Sequence, residues 1–202
     1  MTLKGFMSDM IRSEMEDAVG QENVSISSGE KLAYGTDYFW LSRMWVDKGQ
    51  MPPVPDYIVR PGSAEEVSKI LKIANYYKIP VYTWGGGSGT QGGALAMGGG
   101  IMLDTKRMDR LLDIDTVSGT ITVETGMVFQ TMEWYANEQG FSVMHIPSCL
   151  TCCTVGGALA HNGIGILSTK YGKIDDQCPG LEVVLPNGDI IRSLQVPKHS
   201  SG

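Results

Sequence analysis

Residues 80–100 read PVYTWGGGSGTQGGALAMGGG and contain nine glycines directly after a strand-like run. Glycine loses more backbone freedom on folding than any other residue, so this density needs an explanation. Either the segment is a flexible connection, or a ligand lies so close to its backbone that side chains would be in the way. Ser88, Thr90 and Gln91 place two hydroxyls and an amide among the glycines, which favours a ligand-binding loop over a disordered linker.

The glycines match known nucleotide-binding motifs only in part. Gly87, Gly89 and Gly92 fit G-x-G-x-x-G, but the dinucleotide fingerprint needs a helix immediately afterwards, and GGALAMGGG cannot sustain one. The P-loop pattern fails as well, because no Lys-Ser or Lys-Thr pair follows the glycines. Consecutive main-chain amides can still hold phosphate oxygens without a helix. The sequence therefore predicts an anion-binding loop at this position.

A second glycine-rich stretch, residues 145–172, reads HIPSCLTCCTVGGALAHNGIGILSTKYG. It combines an entry fixed by proline, small hydroxylic residues, a Gly-Gly pair and further spaced glycines. We interpret residues 147–172 as a loop-rich region. Two such loops suit one long ligand clamped between lobes, which predicts an α+β chain with two small lobes that meet near the glycine loops.

Periodicity and turn residues predict most of the regular elements around these loops. Ser63 followed by Glu66 has the spacing of a capping box ahead of an amphipathic helix. We predict helices over residues 5–20, after Ser63 and over 128–138, strands at 57–59, 80–84 and 100–104, and hairpins turning at 118–119 and 187–188. The helix after Ser63 and its two flanking strands are predicted to form a strand–helix–strand unit.

Composition limits the class of protein. The 202 residues are 42% hydrophobic and 19% charged, which is typical of a globular chain. A net charge of -6 without a basic cluster argues against nucleic acid as a partner. The N-terminus does not resemble a signal peptide, and no apolar run approaches the ~20 residues of a membrane span. We therefore expect a cytoplasmic protein without a transmembrane segment.

The cysteines and histidines are candidate metal ligands or proton-transfer groups. A single C-x-x-C with one distant partner lacks the paired knuckles of a zinc site, so we predict no metal site from the cysteines at 149, 152, 153 and 178. Reduced thiols lining a tight loop are the main interpretation, and redox-active thiols are the alternative. We interpret His145 as a hydrogen-bonded core or loop histidine, and His161 as a backbone contact rather than an acid–base group.

Several blocks of the sequence, taken in order, resemble one known family. They are PDYIVRPGSAEEVSKILKIANYYKIPV, WGGGSGTQGGA, GIMLDTKRMDRLLDIDTVSGTITVETG, PSCLTCCTVGGALAHNGIG, KYGKIDDQCPGLEVVLPNGDIIRS and PKHSSG. From about Tyr34 to its last residue the chain resembles the PCMH-type FAD-binding domain of the vanillyl-alcohol oxidase and p-cresol methylhydroxylase superfamily, also called the FAD-linked oxidases. Within it, the chain is most similar to the glycolate oxidase and D-lactate dehydrogenase branch.

The resemblance implies an α+β, two-lobed PCMH-type fold with mixed sheets and flanking helices. Residues 1–50 are then an N-terminal helix and lead-in, and residues 51–202 the FAD-binding domain, without its C-terminal end and the substrate cap domain. Relatives take the groups that bind substrate and move protons from that cap. The catalytic residues thus stay unknown, and we expect these 202 residues alone to turn over no substrate. A partner chain that supplies the cap is an alternative to a truncated protein.

The resemblance also implies which residues bind FAD. The first loop places the pyrophosphate against Gly85, Gly86, Gly87, Ser88, Gly89 and Thr90. Trp84, just before them, is also implied to belong to the cofactor site, although it stands where many relatives carry arginine or another polar residue. Ser88 replaces the histidine of flavin-tethering members, which implies non-covalent FAD at this loop.

The second loop is implied to follow the pyrophosphate, the ribityl chain and the flavin ring. Its contacts are implied to come from Pro147, Ser148, Thr154, Gly156, Gly157, His161, Asn162 and Gly165. Val183 matches a strand residue that usually contacts the cofactor through its backbone.

The implied activity is that of an FAD-dependent oxidoreductase that takes a hydride from a carbon bearing a hydroxyl, as in a 2-hydroxy acid, with FAD N5 as acceptor. Electrons would then pass to a partner protein, a quinone or dioxygen. Oxidation of a para-substituted phenol and a transfer similar to that of alkylglycerone phosphate synthase are alternatives. A non-catalytic flavin-binding subunit of an electron-transfer complex is a third interpretation.

Overall fold

The computed structural model describes residues 3–193, with side chains from residue 7 onward. The predicted motif PKHSSG, residues 197–202, lies outside the described residues. The described residues divide into two compact units: unit 1 extends to Arg107 and includes Val183–Ile191, and unit 2 comprises Met108–Glu182 together with Arg192 and Ser193. Helices and mixed sheets are both present, so the predicted α+β class is confirmed.

Unit 1 contains most of the predicted regular elements. Its helices are α1 (Leu3–Val19), α2 (Ser28–Ala33), α3 (Trp40–Asp47) and α4 (Ala64–Tyr77), and its strands are β1 (Val24–Ser25), β2 (Tyr57–Val59), β3 (Val81–Trp84) and β4 (Ile101–Asp104). The helix predicted over residues 5–20 is confirmed as α1, and the three predicted strands are confirmed as β2, β3 and β4. Helices α2 and α3 and strand β1 are additional elements that the sequence did not predict.

The four strands of unit 1 form one sheet in the order β1-β2-β4-β3. Strand β4 is parallel to both of its neighbours, with Met102 opposite Ile58 of β2 and Tyr82 of β3, whereas β1 is antiparallel to β2. Every residue of β4 is buried, as expected of an inner strand. The predicted strand–helix–strand unit is therefore right in its elements, but its two strands are not neighbours, because β4 lies between them.

The glycine-rich stretch, residues 85–100, is the crossover between the parallel strands β3 and β4. Such a connection is usually an α-helix, yet this one consists of turns and bends. Gly100 ends it with a φ of +83°, and a Cβ there would lie 2.3 Å from Pro80 O. The crossover therefore returns tightly against the residue that precedes β3, and only glycine fits at that point.

Helix α4 begins after Ser63, whose Oγ accepts a hydrogen bond from Glu66 N at 3.3 Å. The Glu66 carboxylate accepts from Gly62 N at 2.7 Å rather than from the Ser63 amide. The predicted capping box is therefore only half formed. The predicted apolar stripe is present, since Val67 and Ile70 are buried.

The end of β4 carries a buried carboxylate. Asp104 is 2% exposed and accepts hydrogen bonds from Tyr34 Oη at 2.5 Å and from Lys106 N at 3.0 Å. Burial and this carboxylate raise the pKa of Tyr34 to about 12, so its hydroxyl stays a donor at neutral pH. The Tyr34 ring also packs edge-on against Trp84, with centroids 5.0 Å apart. This network joins the carboxyl ends of β3 and β4, where Trp84 lies opposite Asp104.

Unit 2 is built from a hairpin and short helices. Its elements are β5 (Leu111–Asp115), β6 (Thr120–Val123), α5 (Phe129–Glu138), α6 (Val155–His161), α7 (Ser168–Tyr171) and a 3-10 turn at Ile174–Gln177. Strands β5 and β6 confirm the predicted hairpin, and α5 confirms the helix predicted over 128–138. The prediction of a loop-rich region over 147–172 missed α6 and α7. The core of unit 2 forms around Phe129 and Met127, which are almost completely buried.

The last described hairpin consists of β7 (Glu182–Val184) and β8 (Ile190–Arg192), as the Asn187-Gly188 pair predicts. Gly188 has a φ of +88°, and a Cβ there would lie 2.9 Å from Ser68 O, so the turn requires glycine. The Ser68 hydroxyl donates to Gly188 O, which holds the turn against α4. No helix among residues 3–193 is both long enough and apolar enough to cross a membrane.

Candidate functional site

The first loop, residues 85–92, follows β3 directly and has an open backbone. The N–H groups of Gly87, Ser88, Gly89 and Thr90 donate no hydrogen bond to another described residue. A Cβ at Gly89 would meet nothing within 4 Å. Consecutive free amides on an accessible backbone are the donors that a phosphate group needs. The first loop therefore fits the diphosphate of FAD, the role implied for it by the resemblance.

Gly87 and Trp84 have a second role in the packing of unit 1. Gly87 has a φ of +63°, and a Cβ there would lie 2.5 Å from Trp84 Cζ2. Trp84 is 8% exposed and belongs to the core cluster of Tyr34 and Met102. Its carbonyl oxygen accepts a hydrogen bond from Thr105 Oγ1 at 3.2 Å. The indole is thus a core side chain, and a contact between Trp84 and FAD stays a prediction.

The second loop, residues 147–165, contains helix α6, which begins after Thr154. This threonine is buried, and its Oγ1 accepts a hydrogen bond from Gly157 N at 3.2 Å. Gly156 N donates to Thr125 O at 2.8 Å. Because both glycine amides are bonded within unit 2, neither is free to bind a phosphate. If these glycines contact FAD, they do so because the ligand packs closely against their backbone, and not because their amides donate hydrogen bonds to it.

Gly156 and Gly165 are required by the packing of the chain on itself. A Cβ at Gly156 would lie 1.7 Å from Thr125 Oγ1, and a Cβ at Gly165 would lie 2.7 Å from Ile146 N. The sequence analysis assigned both glycines to the cofactor. The structure supplies an internal reason for each of them, and their contact with FAD stays a prediction.

The remaining predicted site residues differ in exposure and in the unit that carries them. Among the residues of the second loop that were assigned to the cofactor, Pro147 is buried, whereas Ser148, Gly157, His161 and Asn162 are exposed. Val183 is 39% exposed in β7 and belongs to unit 1, as the first loop does, while the second loop belongs to unit 2. Of the side chains assigned to FAD in the second loop, those of Ser148, His161 and Asn162 are therefore accessible to a ligand.

His145 has an environment that the sequence did not predict. The side chain is 1% exposed, yet neither ring nitrogen has a hydrogen-bond partner among the described residues, so the prediction of a hydrogen-bonded histidine is wrong. The ring lies edge-on to Phe129, with centroids 5.4 Å apart. Burial lowers the pKa of His145, which favours the neutral imidazole with one donor and one acceptor nitrogen. Buried polar groups normally have a hydrogen-bond partner, so only the three-dimensional structure reveals that the His145 imidazole lacks one.

The cysteines are all free thiols. Within residues 3–193, no group of three or more His, Cys, Asp or Glu side chains is arranged to hold a metal ion. Cys153 is buried in the core of unit 2, and burial together with the neighbouring Cys149 thiol raises the pKa of Cys153 to about 12.

Every lysine and arginine between residues 85 and 172 has a charged or aromatic partner within its own unit. The pairs are Lys106 with Asp104 (3.2 Å), Arg107 with Glu66 (3.5 Å), Arg110 with Glu124 (2.7 Å) and Lys170 over the ring of Tyr171 (4.8 Å). The Arg110 guanidinium lowers the pKa of Glu124, as expected for an ion pair. Three of these four cations are therefore already paired with a carboxylate, and Lys170 lies over an aromatic ring.

The fold, the open first loop and the sequence blocks agree with a flavin-binding domain, and the chain belongs to the FAD binding domain family, whose sequence model matches residues 55–193. Glycolate oxidase subunit GlcD of Bacillus subtilis is 32% identical over 183 residues, which cover 91% of this chain and 37% of that protein. D-2-hydroxyglutarate dehydrogenase of Xanthomonas citri pv. viticola is 31% identical over 197 residues, covering 97% of this chain and 40% of that protein.

Solved structures of the same superfamily share the fold. An alkyldihydroxyacetonephosphate synthase structure matches with a TM-score of 0.85 at 25% identity, covering 94% of this chain and 35% of the other. A p-cresol methylhydroxylase structure matches with a TM-score of 0.77 at 26% identity, covering 95% and 36%. The predicted PCMH-type fold and the FAD cofactor are thereby confirmed. The chain spans less than half the length of each of these relatives.

Proposed function

We propose that this chain is the flavin-binding portion of an FAD-dependent oxidoreductase that dehydrogenates a hydroxylated small molecule, such as a 2-hydroxy acid. The observation that carries the proposal is the run of unbonded amides at residues 87–90 in a chain of the FAD binding domain family. The names of the glycolate oxidase and D-2-hydroxyglutarate dehydrogenase relatives support the substrate class. When bound, FAD supplies the hydride acceptor.

In this proposal the chain binds and orients FAD with its backbone and a few polar side chains. The amides of residues 85–90 hold the diphosphate, and the exposed side chains of Ser148, His161 and Asn162 contact the rest of the cofactor. Val183 contributes its main chain. We also propose that the FAD-binding domain starts near residue 51, with residues 1–50 as a lead-in whose strand β1 pairs with β2.

Groups that bind a substrate carboxylate are proposed to lie outside residues 85–172, because Lys106, Arg107 and Arg110 already pair with carboxylates and Lys170 lies over the ring of Tyr171. A cap domain, from the same polypeptide or a partner chain, would supply them, and a protein or quinone would accept the electrons. A cytoplasmic location is supported by four free thiols, since disulfides are rare in reducing compartments.

A second candidate is an alkyl transfer like that of alkyldihydroxyacetonephosphate synthase. The TM-score of 0.85 with a structure of that enzyme favours it. The reactions differ in their net electron balance, because a dehydrogenation needs an external electron acceptor and an alkyl transfer does not.

The experiment that tests the proposed function is anaerobic reduction of the flavin in the natural holoprotein. Glycolate or D-lactate is expected to bleach the flavin absorbance, whereas a para-alkylphenol is expected to leave it unchanged. Bleaching by the phenol alone, or no reduction by any 2-hydroxy acid, would contradict the substrate class. The chain of residues 1–202 loaded with FAD is expected to show no bleaching, because the arginines between residues 85 and 172 already pair with carboxylates and neither glycine-rich loop contains an arginine to hold the acid.

FAD is expected to be held without a covalent bond. Serine cannot form the histidyl–flavin bond, and the family resemblance assigns Ser88 to the position of the tethering histidine. Precipitation of the holoprotein with acid should therefore release all of the yellow colour into the supernatant. Flavin that stays in the protein pellet after repeated washing with denaturant would show a covalent tether from another residue.

A further inference from the structure

Three of the four cysteines lie on one turn of unit 2, between Pro147 and Thr154. The amides of Cys152 and Cys153 both donate to Cys149 O at 2.9 Å, so residues 149–153 form a single helical turn. The Cys152 thiol also donates to Cys149 O at 3.4 Å, which folds its side chain back towards Cys149. Cys152 is exposed and Cys149 is half-buried, so both thiols are within reach of a small reagent.

The spacing of Cys149 and Cys152 suits a dithiol. Residues three apart on a helical turn are surface neighbours, with Cβ atoms about 5–6 Å apart. A disulfide needs about 3.5–4.5 Å between the same atoms, so closure requires an adjustment of only about 1–2 Å. The C-x-x-C spacing is also that of thiol–disulfide oxidoreductases.

Cys153 has a different character, although it lies on the same turn. It is 4% exposed and packs with Met127 and Phe129 in the core of unit 2. Its pKa of about 12, raised by burial and the adjacent Cys149 thiol, keeps it a neutral thiol at neutral pH. Because the thiolate is the nucleophile, Cys153 is a poor participant in either oxidation or metal binding.

We propose that Cys149 and Cys152 form a reversible oxidation site that hydrogen peroxide converts to a disulfide. The Cys152 thiolate attacks the peroxide, the O–O bond breaks, and the released hydroxide takes up a proton to form water, leaving a sulfenic acid on Cys152. The Cys149 thiolate then attacks that sulfur. The S–S bond forms as the S–O bond breaks, and the released hydroxide takes up a proton to form a second water. Overall, two thiols are oxidised and one peroxide is reduced to two waters.

This site goes beyond the proposed function and does not depend on bound FAD. Its structural consequence lies at the start of α6, because the Cys153 amide shares the Cys149 carbonyl and Thr154 follows immediately. Closing the disulfide pulls Cys152 towards Cys149 and tightens the turn that leads into α6.

The test is peroxide treatment of the folded protein, followed by alkylation in denaturant and mass analysis. The reduced protein is expected to take up alkyl groups on all four cysteines, and the oxidised protein on two, with dithiothreitol restoring four. Peptide mapping should locate the bond between Cys149 and Cys152. Cys149→Ser and Cys152→Ser are each expected to abolish it, whereas the control Cys178→Ser retains it.

Four outcomes would overturn the proposal, and the first three concern the number and position of the bonded thiols. The first is that all four cysteines are still alkylated after peroxide treatment. The second is that the disulfide maps to a different pair of cysteines. The third is that the Cys149→Ser variant also loses two thiols to a disulfide. The fourth is that peroxide adds oxygen atoms to Cys152 one at a time and no disulfide forms. Cys152 would then be an exposed thiol that oxidises alone, and not part of a dithiol site.

Discussion

A Gly89→Val variant is expected to fold as the parent does and to bind FAD at least about 100-fold more weakly. The site has room for the new side chain in the free protein, since a Cβ at Gly89 meets nothing within 4 Å and the φ there is not positive. The proposed diphosphate needs the same space. Blocking two hydrogen bonds to a charged group removes about 1.5–3 kcal/mol each, and 1.4 kcal/mol is tenfold in affinity.

The control is Gly93→Val, because Gly93 is also exposed, lies in the same crossover and has nothing within 4 Å of its Cβ. Circular dichroism should show folded protein for both variants, and titration with FAD should separate them. Equal FAD affinity of Gly89→Val and Gly93→Val would place the diphosphate elsewhere. Gly87→Val is a poorer probe, because its Cβ would strike Trp84 and disturb the core.

Gly156→Ala is expected to lower the free energy of unfolding by about 3 kcal/mol or more, whether or not FAD is present. A Cβ at Gly156 would lie 1.7 Å from Thr125 Oγ1 and 3.0 Å from Thr125 O, which is backbone and cannot rotate away. Denaturant unfolding measures the effect. Gly163→Ala is the control in the same unit, since its nearest contact is His145 Nε2 at 3.5 Å.

A double variant tests the cause of this loss. Thr125→Ala removes Oγ1 but leaves the carbonyl, so Thr125→Ala combined with Gly156→Ala should recover part of the stability lost by Gly156→Ala alone. Unchanged stability of Gly156→Ala in the absence of FAD would mean that the glycine serves the cofactor only, as the sequence analysis implied.

The sequence predicted the elements of unit 1 better than their arrangement. The 3.6-residue spacing of Val67 and Ile70 and the capping serine defined α4, and short apolar runs defined β2, β3 and β4. That β4 pairs between β2 and β3 depends on contacts between residues far apart in the chain, which local patterns do not contain. Helix α6 was missed because Gly156 and Gly157 lower its helix propensity, while the cap at Thr154 and tertiary bonds stabilise it.

The sequence identified the residues of the candidate site, but not whether each of them is open to a ligand or is required by the packing of the chain. Both glycine-rich loops were evident from composition. Gly89, which is open to a ligand, and Gly156, which is closed by Thr125, look alike in sequence and differ only in what surrounds them. His145 shows the same limit, because the sequence does not distinguish a histidine that lacks hydrogen-bond partners from one that has two.

The position of β4 imposes an order on chain synthesis. The ribosome delivers β2, α4 and β3 before β4, so two parallel strands emerge before the strand that pairs with both of them. Until Ile101 has been added, β2 can pair with β1 alone, and β3 has no partner in the sheet. While the glycine-rich stretch is being synthesised, the sheet of the nascent chain therefore lacks its inner strand β4. A polypeptide interrupted within that stretch would release two unpaired strand edges, which are the surfaces from which β-sheet proteins aggregate.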